Sequence, residues 1–200
     1  MSTPIAFYFD FTSPYGYLMS EQIDALAARF GRTVDWHPIL LGLVFKETGS
    51  QPPVAVPLKG PYTLRDFQRS ARFFGVAYRQ PDRFPVPTQA AGRAYYWLLG
   101  RDAGLARRFA RAVFRAYFVD NQDVSAPETV AAIAAGLQVD RAEFDAALAT
   151  PEVKESLQQA TRQAMARGVF GSPFVFVDDE PFFGVDRLPQ IERWLQDGSF

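Results

Sequence analysis

One sequence feature restricts the fold of this chain more than any other. It is a run of β-forming residues followed directly by the start of a helix. The segment from Phe7 to Phe11 favours a strand, and it ends at Thr12-Ser13-Pro14. Ser13 is suited to cap a helix, and Pro14 suits the first helical position, where a missing N–H costs nothing. The sequence therefore predicts a strand, a tight turn and a helix that begins at Ser13.

Thioredoxin-like proteins use this geometry to present a reactive cysteine, but here the position is a serine. The fourth residue of the motif is Gly16, and the chain of 200 residues contains no cysteine. Disulfides and thiolate catalysis by the protein's own side chains are therefore excluded. A helix N-terminus favours an anion, so a thiolate bound there would have its pKa lowered and could accept a hydrogen bond from Ser13. The alternative is that Ser13 only caps its helix.

Composition excludes several other classes of function. The formal net charge is −1, which gives no reason to expect a nucleic acid or a membrane surface as partner. His37 is the only histidine, so we predict no metal site. No window approaches the roughly 18 apolar residues of a membrane span, and no secretion signal is evident. We therefore expect a cytoplasmic protein.

The secondary-structure pattern predicts two blocks at opposite ends of the chain. A strand over residues 5–10, a helix over 15–30 that ends at Gly31, and a strand over 33–41 make a β-α-β block. Strands over 174–177 and 181–184, joined by a turn at Asp178-Asp179, and a helix from about 188 to 196 make a β-β-α block. Together these blocks predict an α/β fold with a thioredoxin-like core.

The middle of the chain predicts an all-helical domain inserted into that core. The expected division is a discontinuous thioredoxin-like domain of residues 1–42 plus 168–200, and a helical domain of 43–167 with about six helices. Thr63 with Asp66 and Ser125 with Glu128 have capping-box spacing, and Thr150, followed by a proline, also predicts a helix start.

A second candidate feature is Ser172-Pro173, directly before the third predicted strand. In thioredoxin-like folds a proline at this position is usually cis and lies opposite the start of the first helix. The preceding residue then offers its backbone N–H and C=O to an extended peptide. We therefore expect Ser13 and Ser172 to form a site for a small peptide that carries a thiol.

Five motifs give the whole chain a specific resemblance to one family. They are Phe9-Asp10-Phe11-x-Ser13-Pro14-Tyr15-x-Tyr17-Leu18, Leu40-Leu41-Gly42, Lys59-Gly60-x-Tyr62, Gly168-Val169-Phe170-Gly171-Ser172-Pro173 and Phe183-Gly184-x-Asp186-Arg187-Leu188. In their order and spacing they resemble 2-hydroxychromene-2-carboxylate isomerases. These enzymes are similar to kappa-class glutathione transferases, and both groups carry a helical domain inserted into a DsbA-like thioredoxin core.

The resemblance implies a catalytic residue and a glutathione site. Ser13 matches the catalytic serine that faces the glutathione sulfur. Ser172 matches the residue whose backbone pairs with the cysteinyl part of glutathione, ahead of the cis proline Pro173. Asp186, with the backbone of Val185 before it, matches the position that holds the γ-glutamyl ammonium. The alternative for Asp186 is that it caps the last helix.

Two further residues complete the expected glutathione site. Lys59 matches a lysine that meets a carboxylate of glutathione or of the substrate, although it could also be an ordinary solvated lysine. Ser50 matches a position next to glutathione at which the family usually has asparagine. Two more departures from the family pattern are Pro87, where asparagine is common, and His37, which precedes Pro38 where arginine is usual. We interpret His37 as structural.

Four residues are expected to border the substrate cleft: Tyr15, Tyr62, Asp66 and Phe170. By resemblance the reaction interconverts 2-hydroxychromene-2-carboxylate and trans-o-hydroxybenzylidenepyruvate in aromatic degradation. It proceeds through thiolate addition, ring opening, bond rotation and elimination, with glutathione regenerated as a cofactor. The resemblance also implies a homodimer. Two alternatives stay open: a kappa-like transferase for another electrophile, and a non-catalytic thioredoxin-like module that binds peptides.

Overall fold

A four-stranded mixed sheet is the centre of the fold, which a computed structural model describes for residues 3–200. Its strands are β1 (Ile5–Phe9), β2 (Val34–Pro38), β3 (Phe174–Val177) and β4 (Glu180–Phe183). The order is β2-β1-β3-β4, with β1 parallel to β2 and antiparallel to β3. All five residues of β1 are buried, as expected for a central strand covered on both faces.

Two short helices replace the single helix that the sequence predicted over residues 15–30. They are α1 (Pro14–Ser20) and α2 (Ile23–Arg29). The prediction of one helix was wrong because the last turn of α1 tightens, and the N–H of Gln22 donates to the carbonyl of Met19, three residues back, at 3.0 Å. Such a bond ends the regular helical ladder before α2 begins. The predicted end at Gly31 is confirmed, since this glycine follows α2 with a φ of 65°.

Between β2 and β3, the described chain forms seven α-helices, one more than the six or so predicted. They are α3 (Leu41–Thr48), α4 (Lys59–Phe74), α5 (Gln89–Leu99), α6 (Ala103–Phe118), α7 (Pro127–Gly136), α8 (Arg141–Ala149) and α9 (Pro151–Ala166). After β4, the chain ends with α10 (Leu188–Asp197). The predicted fold class, a thioredoxin-like core with a helical insertion, is confirmed, whereas the domain boundaries at 42/43 and 167/168 stay a prediction.

Capping explains one of the three predicted helix starts. Thr150 caps α9, as predicted, and accepts a hydrogen bond from a backbone N–H of the first turn. Both capping boxes were wrong. Thr63 lies inside α4, which already begins at Lys59, and its hydroxyl donates to the Lys59 carbonyl. Ser125 bonds to Asp123 and does not cap α7.

Aromatic side chains join the sheet to the inserted helices in one core. Phe114 of α6 is fully buried, and its ring lies 5.3 Å from that of Phe9 and 5.2 Å from that of Phe11. It also contacts Tyr17 of α1 at 5.8 Å. Aromatic pairs at these separations add to the free energy gained from burial. The sheet, the first helix and α6 are therefore packed as one unit around Phe114.

Replacing Phe114 with alanine should destabilise the whole protein, because it removes a ring shared by these three elements. We expect the free energy of unfolding to fall by about 3–5 kcal/mol, measured by urea denaturation. Phe73→Ala is the matched control, since this phenylalanine is 80% exposed, and it should change stability by less than about 0.5 kcal/mol. Equal effects of the two substitutions would contradict this description of the core.

Candidate active site

Ser13 lies in the turn between β1 and α1 and caps the helix, as predicted. Its Oγ accepts a hydrogen bond from the N–H of Gly16 at 3.0 Å and donates one to the carbonyl oxygen of Ser172 at 3.0 Å. Gly16 permits this closeness, since a Cβ there would lie 2.8 Å from the Oγ of Ser172. The side chain is 6% exposed. The hydroxyl therefore faces the loop that precedes β3.

The Ser172-Pro173 peptide bond is cis, which confirms the prediction. Pro173 is buried, and its carbonyl oxygen accepts a hydrogen bond from the N–H of Gly184 at 3.1 Å. The Oγ of Ser172 accepts a hydrogen bond from the N–H of Asp10 at 3.0 Å. The structure thus brings together the two loops that the sequence predicted would form the site.

Asp10 lies behind this site and was not predicted to be part of it. Its carboxyl oxygens accept hydrogen bonds from the N–H of Thr12 at 3.0 Å, from the hydroxyl of Thr88 at 2.6 Å and from the N–H of Leu41 at 2.8 Å. Burial raises the pKa of Asp10 even though these bonds oppose the shift. The available sequence signal was an acid that ends an apolar strand two residues before Thr12, a spacing typical of an Asx-turn.

Two adjoining cavities open at Ser172. The serine cavity, of about 390 Å³, is lined by Thr12, Ser13, Pro14, Tyr15, Leu41, Phe45, Ser50, Gln51, Pro52, Pro53, Val54, Phe67, Phe84, Pro85, Phe170, Gly171, Ser172 and Phe183. The aspartate cavity, of about 790 Å³, is lined by Tyr15, Tyr62, Asp66, Arg69, Ser70, Phe73, Phe74, Ser172, Phe183, Gly184, Val185, Asp186, Arg187 and Pro189. Three residues, Tyr15, Ser172 and Phe183, line both.

Most of the predicted site residues line these two cavities. Ser13, Tyr15, Ser50, Phe170 and Ser172 border the serine cavity, whereas Tyr15, Tyr62, Asp66, Ser172, Val185 and Asp186 border the aspartate cavity. Pro173 and Lys59 line neither of them. Lys59 is exposed at the first residue of α4. The predicted residues therefore fall into two groups that meet at Tyr15 and Ser172.

Asp66 is the centre of a polar cluster in the aspartate cavity. The Tyr15 hydroxyl donates to it at 2.5 Å, Ser70 donates at 3.3 Å, and Arg69 forms an ion pair with it. Burial alone would raise the pKa of Asp66, but the hydrogen bonds from Tyr15 and Arg69 more than offset this and hold it below its ordinary value. Burial and this carboxylate raise the pKa of Tyr15. The cluster is therefore an anion next to a neutral phenol.

Asp186 presents an exposed carboxylate to the same cavity. Its only ion pair among the described residues is with the neighbouring Arg187, at 3.0 Å, and its side chain is 70% exposed. Capping does not explain it, because the cap residue of α10 is Arg187 and no side chain caps that helix. Asp186 thus remains available to a ligand cation.

His37 lies away from both cavities. It sits on β2 beside Tyr8 of β1, with the two rings stacked at 4.8 Å. Burial lowers the pKa of His37, so the ring is held in its neutral form. These contacts are those of a packing residue.

Within residues 3–200 the structure offers neither a metal-binding cluster nor a membrane-spanning helix. This part of the chain places no group of three histidine, cysteine, aspartate or glutamate side chains where they could hold a metal ion. None of its helices is long and apolar enough to cross a membrane.

The chain is similar to known proteins over nearly its whole length. Residues 4–196 match the family model of the DSBA-like thioredoxin domain. The chain is 30% identical to 2-hydroxychromene-2-carboxylate isomerase of Pseudomonas putida, over 94% of this chain and 92% of that protein. It is 26% identical to glutathione S-transferase kappa 2 of Caenorhabditis elegans, over 96% and 91%. A solved structure of 2-hydroxychromene-2-carboxylate isomerase superposes with a TM-score of 0.87 at 27% identity, covering 97% of this chain and 95% of the other.

The fold and the matched model thus define a DsbA-like thioredoxin protein. Within that class, the chain belongs to the 2-hydroxychromene-2-carboxylate isomerase family, to which the kappa-class glutathione transferases are related. These relatives are named as isomerases and transferases, so the family is one of enzymes.

The Asp66 cluster yields a prediction about pH. In Tyr15→Phe the carboxylate loses a hydrogen bond, so the pKa of Asp66 should rise toward its ordinary value of 3.8. A lowered pKa adds stability that is present above the ordinary value and lost as the pH falls through the lowered one. As the pH is lowered, the variant should therefore lose the free energy of unfolding that depends on ionised Asp66 at a higher pH than the wild type does.

A carbon-detected NMR titration of the Asp66 carboxyl measures this shift. Tyr78→Phe is the control, because the Tyr78 hydroxyl bonds to Gln80 and not to Asp66. An unchanged Asp66 midpoint in Tyr15→Phe would show that the phenol does not stabilise this carboxylate.

Proposed function

We propose that this protein is a glutathione-dependent isomerase that interconverts 2-hydroxychromene-2-carboxylate and trans-o-hydroxybenzylidenepyruvate. The observation that carries the proposal is the pairing of Ser13 with the cis-proline loop in a chain without cysteine. At the position where this fold usually presents its own thiol, this chain has the hydroxyl of Ser13. The hydroxyl lies beside the backbone of Ser172 and an apolar cavity. This combination suits a thiol brought by a ligand.

The residues present fit glutathione, an extended peptide with an ammonium group, two carboxylates and a thiol. Asp186 would hold the γ-glutamyl ammonium in the aspartate cavity, next to the backbone of Val185. Ser172 would pair its backbone with the cysteinyl unit, since it is partly exposed and lines both cavities. Ser50 and Lys59 would meet the glycyl end. When bound, glutathione supplies a thiolate that adds to the conjugated substrate and leaves after the bond has rotated.

Ser13 would act as a hydrogen-bond donor to that sulfur. Its single hydroxyl proton now points to the carbonyl oxygen of Ser172, and the N–H of Gly16 donates to its oxygen. Turning the hydroxyl from the carbonyl to a sulfur anion replaces a neutral acceptor with a charged one, and hydrogen bonds to charged groups are the stronger kind. This lowers the pKa of the bound thiol and favours the reactive form.

The serine cavity would hold the aromatic part of the substrate. Its lining residues are mostly apolar, and the aromatic rings of Tyr15 and Phe67 lie 4.9 Å apart in its wall. No charged side chain among the described residues lines it. A flat ring fits such a wall, and bulk water is displaced from the bond that rotates.

Transfer of glutathione to another electrophile is the second candidate function. The 26% identity to a kappa-class glutathione transferase over nearly the whole chain favours it. It would use Ser13 and Asp186 in the same way and differ only in the fate of the adduct. Ultraviolet absorbance of 2-hydroxychromene-2-carboxylate with glutathione separates the two, because only the isomerase regenerates the thiol.

Millimolar glutathione should raise the thermal midpoint of the wild type, since a ligand that binds only the folded state stabilises it. Asp186→Asn should need a glutathione concentration about tenfold higher for the same shift, because it removes a charge from an ion pair with the ligand. Asp179→Asn is the control, since this exposed residue lies in the β3–β4 turn and lines neither cavity. Absence of any shift in the wild type would rule out every role for glutathione.

Ser13→Ala should lower turnover of 2-hydroxychromene-2-carboxylate by about 10²-fold or more, in line with the loss of an oxyanion-type donor, while glutathione binding changes little. The variant also loses a helix cap, which costs about 1 kcal/mol of stability. Thr150→Ala controls for this, because it removes the cap of α9 away from the site. Unchanged turnover in Ser13→Ala would remove Ser13 from the mechanism.

A further inference from the structure

A third cavity adjoins the serine cavity on the side away from Asp186. This arginine cavity, of about 550 Å³, is lined by Asp10, Thr12, Leu40, Leu41, Gly42, Leu43, Phe45, Pro52, Pro85, Val86, Pro87, Thr88, Gln89, Arg93 and Gln158. Five of these residues, Thr12, Leu41, Phe45, Pro52 and Pro85, also line the serine cavity. A ligand in the serine cavity therefore has a second, more polar space next to it.

Arg93 is the cation of this cavity, and it has no counter-ion among the residues that the structure describes. It takes part in none of the ion pairs formed among residues 3–200. Its Nε is buried and has no hydrogen-bond partner in this part of the chain. A buried charged donor without an acceptor is costly, and in native proteins it usually signals a missing ligand or water.

The one acid in the lining does not neutralise Arg93. Asp10 already accepts hydrogen bonds from Thr12, Thr88 and Leu41 at its two carboxyl oxygens. Burial also raises the pKa of Asp10, which weakens its negative charge. The guanidinium of Arg93 thus faces a space where an anion from outside would be the favourable partner.

Two residues with amide side chains line the same cavity as Arg93. Gln89 precedes Arg93 by four residues on α5, so the two share a face of the helix. Gln158 reaches the cavity from α9, which packs closely on α5 where Gly92 meets Leu157. A guanidinium with neighbouring amide donors is a typical arrangement for a carboxylate.

The other cations near the site are less suited to this role. Arg69 and Arg187 line the aspartate cavity and do not line the serine cavity, where the aromatic part of the substrate is placed. Lys59 lines none of the three cavities. The serine cavity has no charged side chain among its described lining residues, and a carboxylate buried there would be poorly solvated.

We propose that Arg93, with Gln89 and Gln158, binds the carboxylate of the substrate while its aromatic part lies in the serine cavity. This assignment rests on the proposed function and adds to it the residues that would select a substrate with a carboxylate. The γ-glutamyl end of glutathione lies on the opposite side, in the aspartate cavity. Ser13 then stands between the two ligands.

A matched pair of ligands tests the assignment by calorimetry. One is trans-o-hydroxybenzylidenepyruvate, and the other is its methyl ketone analogue, in which a methyl group replaces the carboxylate. The wild type should bind the keto acid about tenfold or more tightly than the ketone, as expected for a charged pair of hydrogen bonds. Arg93→Met should abolish this preference without weakening the ketone, and Arg93→Lys should keep part of it.

Arg65→Met is the control, because Arg65 is exposed on α4 and lines none of the three cavities. It should behave as the wild type does. An equal affinity of the wild type for both ligands, or a preference that survives in Arg93→Met, would overturn the assignment.

The same protein samples separate this inference from the proposed function. A keto-acid preference that depends on Arg93 supports the carboxylate site whatever the reaction is. Absence of a glutathione-induced thermal shift in the wild type would overturn the proposed reaction and leave the carboxylate site untouched. Thermal midpoints of the Arg93 variants, measured in parallel, show that each is folded before its affinities are compared.

Discussion

The buried carboxyl group of Asp10 is the interaction on which the site depends. Its side chain binds the turn at Thr12, the first residue of α3 at Leu41 and the cap residue of α5 at Thr88, and its own N–H binds Ser172. These four residues are far from one another in the sequence. Each brings to Asp10 a polar group that would cost free energy if it were buried without a hydrogen-bond partner. One acid therefore sets the relative positions of four segments from both parts of the fold.

The three cavities follow one another along this arrangement: the serine cavity shares lining residues with each of the other two, which share none with each other. Ser13 follows Asp10 by three residues, and its hydroxyl reaches the same Ser172 that the Asp10 N–H holds. Thr88 is the cap residue directly before α5, so the same acid also holds the start of the helix that carries Arg93. Under the proposed function, glutathione and substrate would bind on opposite sides of Ser13, which the hydrogen bonds of Asp10 and Ser172 already hold in place.

Local signals in the sequence predicted the strand and the cap at Ser13, because each depends on a few neighbouring residues. The cis bond before Pro173 was predicted from its position in a thioredoxin-like fold and not from its neighbours. The break between α1 and α2 could not be predicted, since neither Glu21 nor Gln22, where it falls, is a glycine or proline that would mark a helix end. The cluster of Tyr15 and Asp66 joins residues 51 positions apart. The isolation of Arg93 is visible only once every possible partner has a position.

A crystal structure of the protein with glutathione would show whether Ser13 receives a thiol from a ligand. We expect the glutathione sulfur to lie within about 3.5 Å of the Ser13 Oγ, at hydrogen-bond distance. The γ-glutamyl ammonium should lie beside Asp186. A sulfur turned away from Ser13 would show that this hydroxyl does not serve a bound thiol.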